Sequence, residues 1–123
     1  MGKEKSRGLR RLIKATGYSI AGYKSAWKYE EAFRIECVLA IIMIPAGLCI
    51  GSTAVQRSLL VGSCFLVIII ELLNAAIEAV VDRIGPAYHE LSGRSKDMGS
   101  AAVLTSLILT IIIWGLILWE RFC

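Results

Sequence analysis

Three long apolar runs divide the chain, and a mixed segment precedes them. From Leu9 onward the apolar positions Leu9, Leu12, Ile13, Ile20, Tyr23 and Trp27 fall on one side of a helix, while Arg10, Arg11 and Lys14 point away. This periodicity predicts an amphipathic helix over about 8–28, lying in a membrane interface or docked on the protein's own spans. The first run predicts a membrane span over 32–50 with Pro45 inside it. Proline is tolerated there because neighbours re-satisfy the freed carbonyl, so a kink is expected rather than a break. Gly51 and Ser52 mark a short turn, and a second span is predicted over 53–84, fully apolar over 59–70 and ended by Gly85 and Pro86. A polar connector, 87–98, carries Tyr88, His89, Glu90, Arg94, Lys96 and Asp97. The third span, 99–119, has 21 residues without a charge and is closed by Trp114 and Trp119 as expected interface anchors.

Composition agrees with a membrane class. Hydrophobic residues make up 56% of the 123, above the roughly 45–50% of soluble domains. The length suits one domain, 1–123, of all-α architecture. Three helices enclose little interior, so a cavity for two substrates calls for several copies. Charge then gives orientation. Nine of the fourteen Lys/Arg lie at or before Arg34, and the 82–98 region carries Arg83, Arg94 and Lys96, against Arg57 alone in the first turn. Positive residues stay inside, so the amino end and second connector are expected in the cytoplasm and the carboxyl end outside. The chain is too apolar for its basic amino segment to indicate nucleic-acid binding. Cys37, Cys49, Cys64 and Cys123 have no metal-ligand spacing and imply no disulfide framework. No cleavable signal peptide is expected, because the first long apolar run begins near Cys37.

Candidate chemistry sits at the end of the second span. Glu71, Asn74, Glu78 and Asp82 follow one another at offsets of 0, 3, 7 and 11. On a helix these fall at about 0°, −60°, −20° and +20°, one polar stripe on an apolar cylinder. Carboxylates inside a span cost about 2.5–3.5 kcal/mol each near the bilayer centre, so such a stripe is expected to have a function. Near an aqueous face they can hold Mg²⁺ through oxygen while the ion keeps its waters and takes up phosphate oxygens. Glu71, deeper, can accept a proton from a lipid hydroxyl. Lys96 and Arg94 offer positive charge for phosphates, Asp97 and His89 offer polar contacts, and Glu30 at the mouth of the first span is a further candidate metal ligand. There is no Walker A loop and no G-x-G-x-x-G before a helix, so motif alone does not give ATP use. Two classes stay open: an enzyme acting on lipid, and a proton- or cation-coupled transporter.

Resemblance narrows these. The second-span stripe continues into DRIGPAYHELSGRSKDMGSAA, from Asp82 to Ala102. Together with RLIKATGYS from Arg11, the pair Ala26 and Trp27, and the Glu30 to Glu36 segment, it resembles the bacterial diacylglycerol kinases along nearly the whole chain, to Trp119. The resemblance implies a homotrimeric bundle in the bacterial inner membrane, with three spans and an amino-terminal surface helix per subunit, that uses MgATP to convert diacylglycerol to phosphatidic acid. It implies that Glu71 is the catalytic base, accompanied by Asn74, Lys96 and Asp97, and that Glu30 and Glu78 are the Mg²⁺ ligands. On the nucleotide side it implies Arg11, Ala15, Thr16, Gly17, Tyr18, Ser19, Tyr88, His89, Lys96 and Asp97 with the two metal ligands. On the lipid side it implies Arg11, Ala32, Phe33, Arg34, Ile35, Glu36, Glu71, Ser100 and Trp114. Ile20 departs from the pattern, standing where relatives can carry an aromatic. A sister group phosphorylates undecaprenol, the alternative substrate.

Overall fold

The computed structural model describes residues 2–85 and 89–123, with side chains from residue 7 onward. Among these residues there are four helices: α1 (Gly2–Tyr29), α2 (Glu31–Ile50), α3 (Ala54–Ile84) and α4 (Glu90–Phe122). The last three are long and apolar enough to cross a membrane. At about 1.5 Å per residue, α2 measures about 30 Å, the thickness of a hydrocarbon core, whereas α3 and α4 approach 46 and 50 Å.

The core is a set of single stripes. Buried residues are Phe33, Ala40 and Gly47 on α2, Leu60, Ser63, Cys64, Val67 and Glu71 on α3, and Gly99, Ser106, Thr110 and Ile117 on α4. These spacings of three, four, seven and eleven keep each set on one helix face. Most are small, which lets backbones approach where lipid offers no hydrophobic drive for association. α3 is central, with α2 and α4 packed against it. The Trp114 indole N–H donates to Ser63 Oγ at 3.1 Å, and its ring lies beside Gly47. Trp114 is half-buried and packs against α2 and α3. The reason is that Gly47 leaves room for the ring and Ser63 offers an acceptor. Trp119 is 70% exposed.

Helix ends use local chemistry. Thr53 Oγ1 accepts the Gln56 N–H at 3.1 Å to start α3, and Arg121 Nε and Arg57 Nε donate to the Ile50 and Leu48 carbonyls that end α2. α2 continues as helix through Pro45. Gly85, at φ 141°, closes α3 in a conformation suited to glycine. The stretch read as a connector, 87–98, is helical from Glu90. His89 caps it, Nδ1 accepting the Leu91 N–H at 3.1 Å, and Lys96 ties the turns that follow to Asp82 of α3.

Candidate active site at the Glu30 end of the bundle

Depth follows from register. A Cβ built on Gly47 would lie 3.0 Å from Leu60 Cβ, so these two positions face each other across α2 and α3. The helices run antiparallel; Glu36 is eleven residues before Gly47 and Glu71 eleven after Leu60, so the two carboxylates share one depth. Glu36 is half-buried and Glu71 buried at that level. By the same register Glu31, the first residue of α2, is level with Ala76. Residues 77–84 of α3 then overhang α2 by about 12 Å.

The polar stripe continues the packing stripe of α3. Glu71 is 5% exposed, Asn74 is half-buried, and Glu78 and Asp82 lie toward the open end, where Glu78 borders a cavity. Glu30 caps the start of α2, and Glu30 and Glu78 both lie within electrostatic range of Glu71. Under this end α1 and α3 enclose that cavity, of about 640 Å³, into which Ser19, Tyr23, Tyr29, Glu30, Glu78 and Asp82 face. The volume suits a small-molecule ligand. Alanines on α3, Ala75, Ala76 and Ala79, and Gly22 and Ala26 on α1 create the space.

Beside the cavity, Lys96 Nζ sits 2.7 Å from Asp82 Oδ1. Lys96 precedes the apolar stretch of α4. Its hydrogen bond, with the Asp82 charge behind it, holds the lysine pKa above its ordinary value and keeps it cationic. It is the sole ion pair among the described residues, so Glu30, Glu71 and Glu78 face no described lysine or arginine partner. Two buried oxygens, Glu36 Oε2 and Asn74 Oδ1, accept no conventional hydrogen bond among the described residues.

The residues expected from the sequence separate into groups. Ser19, Glu30 and Glu78 meet at the cavity; Glu36, Glu71 and Asn74 line the seam beneath it; Lys96 joins through Asp82. Arg11, Ala15, Thr16, Gly17 and Tyr18 ride exposed on the earlier turns of α1 and do not line the cavity. Thr16 and Ser19 return their hydroxyls to the Leu12 and Ala15 carbonyls. Arg34 fastens α1 to α2, donating to the Trp27 carbonyl at 2.7 Å and the Lys28 carbonyl at 3.2 Å. Phe33 is 3% exposed and belongs to the core, while Ala32, Ile35, Asp97 and Ser100 are exposed. Tyr88 lies outside the described residues. Trp114, beside Ser63, is eight residues along α3 from Glu71, about 12 Å away. The sequence reading missed Tyr23, Tyr29 and the α3 alanines. Their signal was present as a small-residue face, Gly22 and Ala26 at i and i+4, opposite Ala75 and Ala79.

Fold and site together define a multi-pass helical membrane protein with an acidic cavity at one end of its spans. The family model for prokaryotic diacylglycerol kinase matches residues 17–118. Curated proteins named diacylglycerol kinase are similar over most of their length. The one from Escherichia coli (strain K12) is 52% identical over 115 residues, covering 94% of each chain. Those from Haemophilus influenzae and Pseudomonas aeruginosa are 52% identical over 115 residues and 43% over 111, covering 98% and 90% of the relative. The chain belongs to the prokaryotic diacylglycerol kinase family and is a multi-pass bacterial membrane protein.

Proposed function

We propose that this chain is an ATP-dependent diacylglycerol kinase, producing phosphatidic acid and ADP. The observation that carries the reading is the depth relation of its carboxylates. Glu71 is buried at bilayer depth with Glu36, and about 10 Å nearer the open end Glu78 and Glu30 face one cavity. A lipid hydroxyl reaches the first level from the membrane and a nucleotide reaches the second from water.

In this reading the Glu71 carboxylate takes the proton of the lipid's primary hydroxyl. The hydroxyl oxygen forms its bond to the γ-phosphorus as the bond to the β–γ bridging oxygen breaks, and ADP leaves with that oxygen. Glu30 and Glu78, an all-oxygen donor pair without a described cationic partner, suit a hard divalent ion that keeps waters and phosphate oxygens in its shell; no third His, Cys, Asp or Glu joins them among the described residues. Bound with ATP, Mg²⁺ supplies neutralisation of phosphate charge. Lys96, fixed by Asp82 one turn beyond Glu78, adds positive charge on the α4 side.

The same proposal places α1 as an amphipathic helix on the membrane surface, the amino end and the 87–98 connector in the cytoplasm, and three copies in a homotrimer. The many exposed apolar side chains of α2 to α4, such as Ile41, Phe65 and Ile111, support contact with lipid or with further copies.

The test is phosphorylation in mixed micelles with MgATP, comparing diacylglycerol with undecaprenol. Diacylglycerol is expected to be the better acceptor, and Glu71→Gln to lower turnover by about 10²–10⁴-fold while the protein still inserts. Preference for undecaprenol would reassign the substrate, and wild-type-like turnover in Glu71→Gln would remove Glu71 as the base.

A further inference from the structure

We infer that Gly99 is a positioning residue of this site, acting through the Asn74 carboxamide. Gly99 is buried at the point where α4 crosses the polar stripe of α3. The three nearest heavy atoms to a Cβ built there all belong to Asn74: Oδ1, Cγ and Cβ, with Oδ1 in hard collision. The Cα–H bond that a Cβ would replace therefore points at Asn74 Oδ1. That oxygen is buried and accepts no conventional hydrogen bond among the described residues. A Cα–H donor from a glycine is the interaction available to it, a contact that recurs at close helix–helix crossings.

The consequence is directional. With its oxygen turned to α4, the planar amide has its –NH₂ group as its remaining donor, and no described residue receives those two hydrogens. Asn74 stands three residues after Glu71 and four before Glu78, on the stripe between the base and the metal ligand. That level is where a transferring phosphoryl group lies in the reading above, on which this inference rests. Gly99 thus orients a neutral donor toward developing phosphate charge without touching substrate itself. Any larger residue would drive the carboxamide out of that orientation.

The experiment is a double-mutant cycle on the full chain in detergent, with Gly99→Ala, Asn74→Ala and both together, measured by kcat, by KM for MgATP and diacylglycerol, and by thermal unfolding. Gly99→Ala is expected to lower kcat at least tenfold with both KM values within threefold of wild type. Its effect should vanish when Asn74 is replaced, the double variant matching Asn74→Ala in kcat and Tm, because the carboxamide that the added methyl group would strike is gone. A Gly99→Ala kcat within twofold of wild type overturns the inference. So does a further loss of Tm on adding Gly99→Ala to Asn74→Ala, which would show that Gly99 packs against something else. The Tm comparison decides even where a variant is inactive, and wild-type turnover on diacylglycerol separately tests the kinase reading.

Discussion

Five carboxylates gather at one end of this bundle, and their surroundings divide them into three groups. Glu71 is shielded with Glu36 at its level, Glu30 and Glu78 border the cavity without a described cationic partner, and Asp82 borders it while paired with Lys96. The division makes a prediction for metal dependence. Replacing Glu30 or Glu78 with Ala should shift the Mg²⁺ titration of turnover to higher concentration or abolish activity. Asp82→Asn, which removes only the charge held by Lys96, should leave the Mg²⁺ midpoint within a few-fold of wild type. Equal midpoints for Glu30→Ala, Glu78→Ala and wild type would remove both residues from the metal site. At this scale the sequence was informative where a residue's cost betrays it. Glu71 inside an apolar run is expensive unless used. It was silent on Gly99 and on the burial of Phe33, because neither residue type is unusual in a span and only the neighbouring helix gives it a partner.

The elements were legible because membrane helices are specified by long, simple patterns. Three apolar runs became three helices, and the breaks at Gly51–Ser52 and Gly85 fell where glycine and serine interrupt them. What the pattern could not supply was the continuation of α4 back to Glu90. Polarity read as a connector, but polar residues also suit a helix that has left the hydrocarbon and packs on an overhanging neighbour. The packing partners of Trp114 were illegible for a related reason: Gly47, on another helix, opens the space beside its ring. Gly47 therefore carries much of the α2–α3–α4 junction. Gly47→Val would push methyl groups onto Leu60 and the Trp114 ring and should destabilise the protein by about 1–3 kcal/mol, as overpacking does. Thermal unfolding in detergent checks this, and an unchanged Tm would mean that the helices do not approach as closely as their register requires.

For the molecule as a whole, three helices able to cross a membrane predict that its two ends lie on opposite sides. Cys123 is exposed at the carboxyl terminus, and a variant with Cys37, Cys49 and Cys64 replaced by Ser makes it the sole thiol. A membrane-impermeant maleimide added to intact spheroplasts should label it, whereas a cysteine introduced at Ser92 should react only after lysis. The reverse pattern would place the acidic cavity outside, away from ATP. The unequal helix lengths carry one more consequence. α2 is about 30 Å long while α3 rises about 12 Å beyond it, so the step between them works as a depth gauge. A bilayer much thicker than α2 would draw Glu30 and the cavity mouth beneath the headgroups and starve the site of nucleotide. A much thinner one would let water reach Glu71 and compete for its proton. Turnover reconstituted in phosphatidylcholines of graded acyl length should pass through a maximum near a hydrocarbon thickness of about 30 Å and fall on both sides. The enzyme that alters membrane lipid would then itself be tuned by the membrane's thickness.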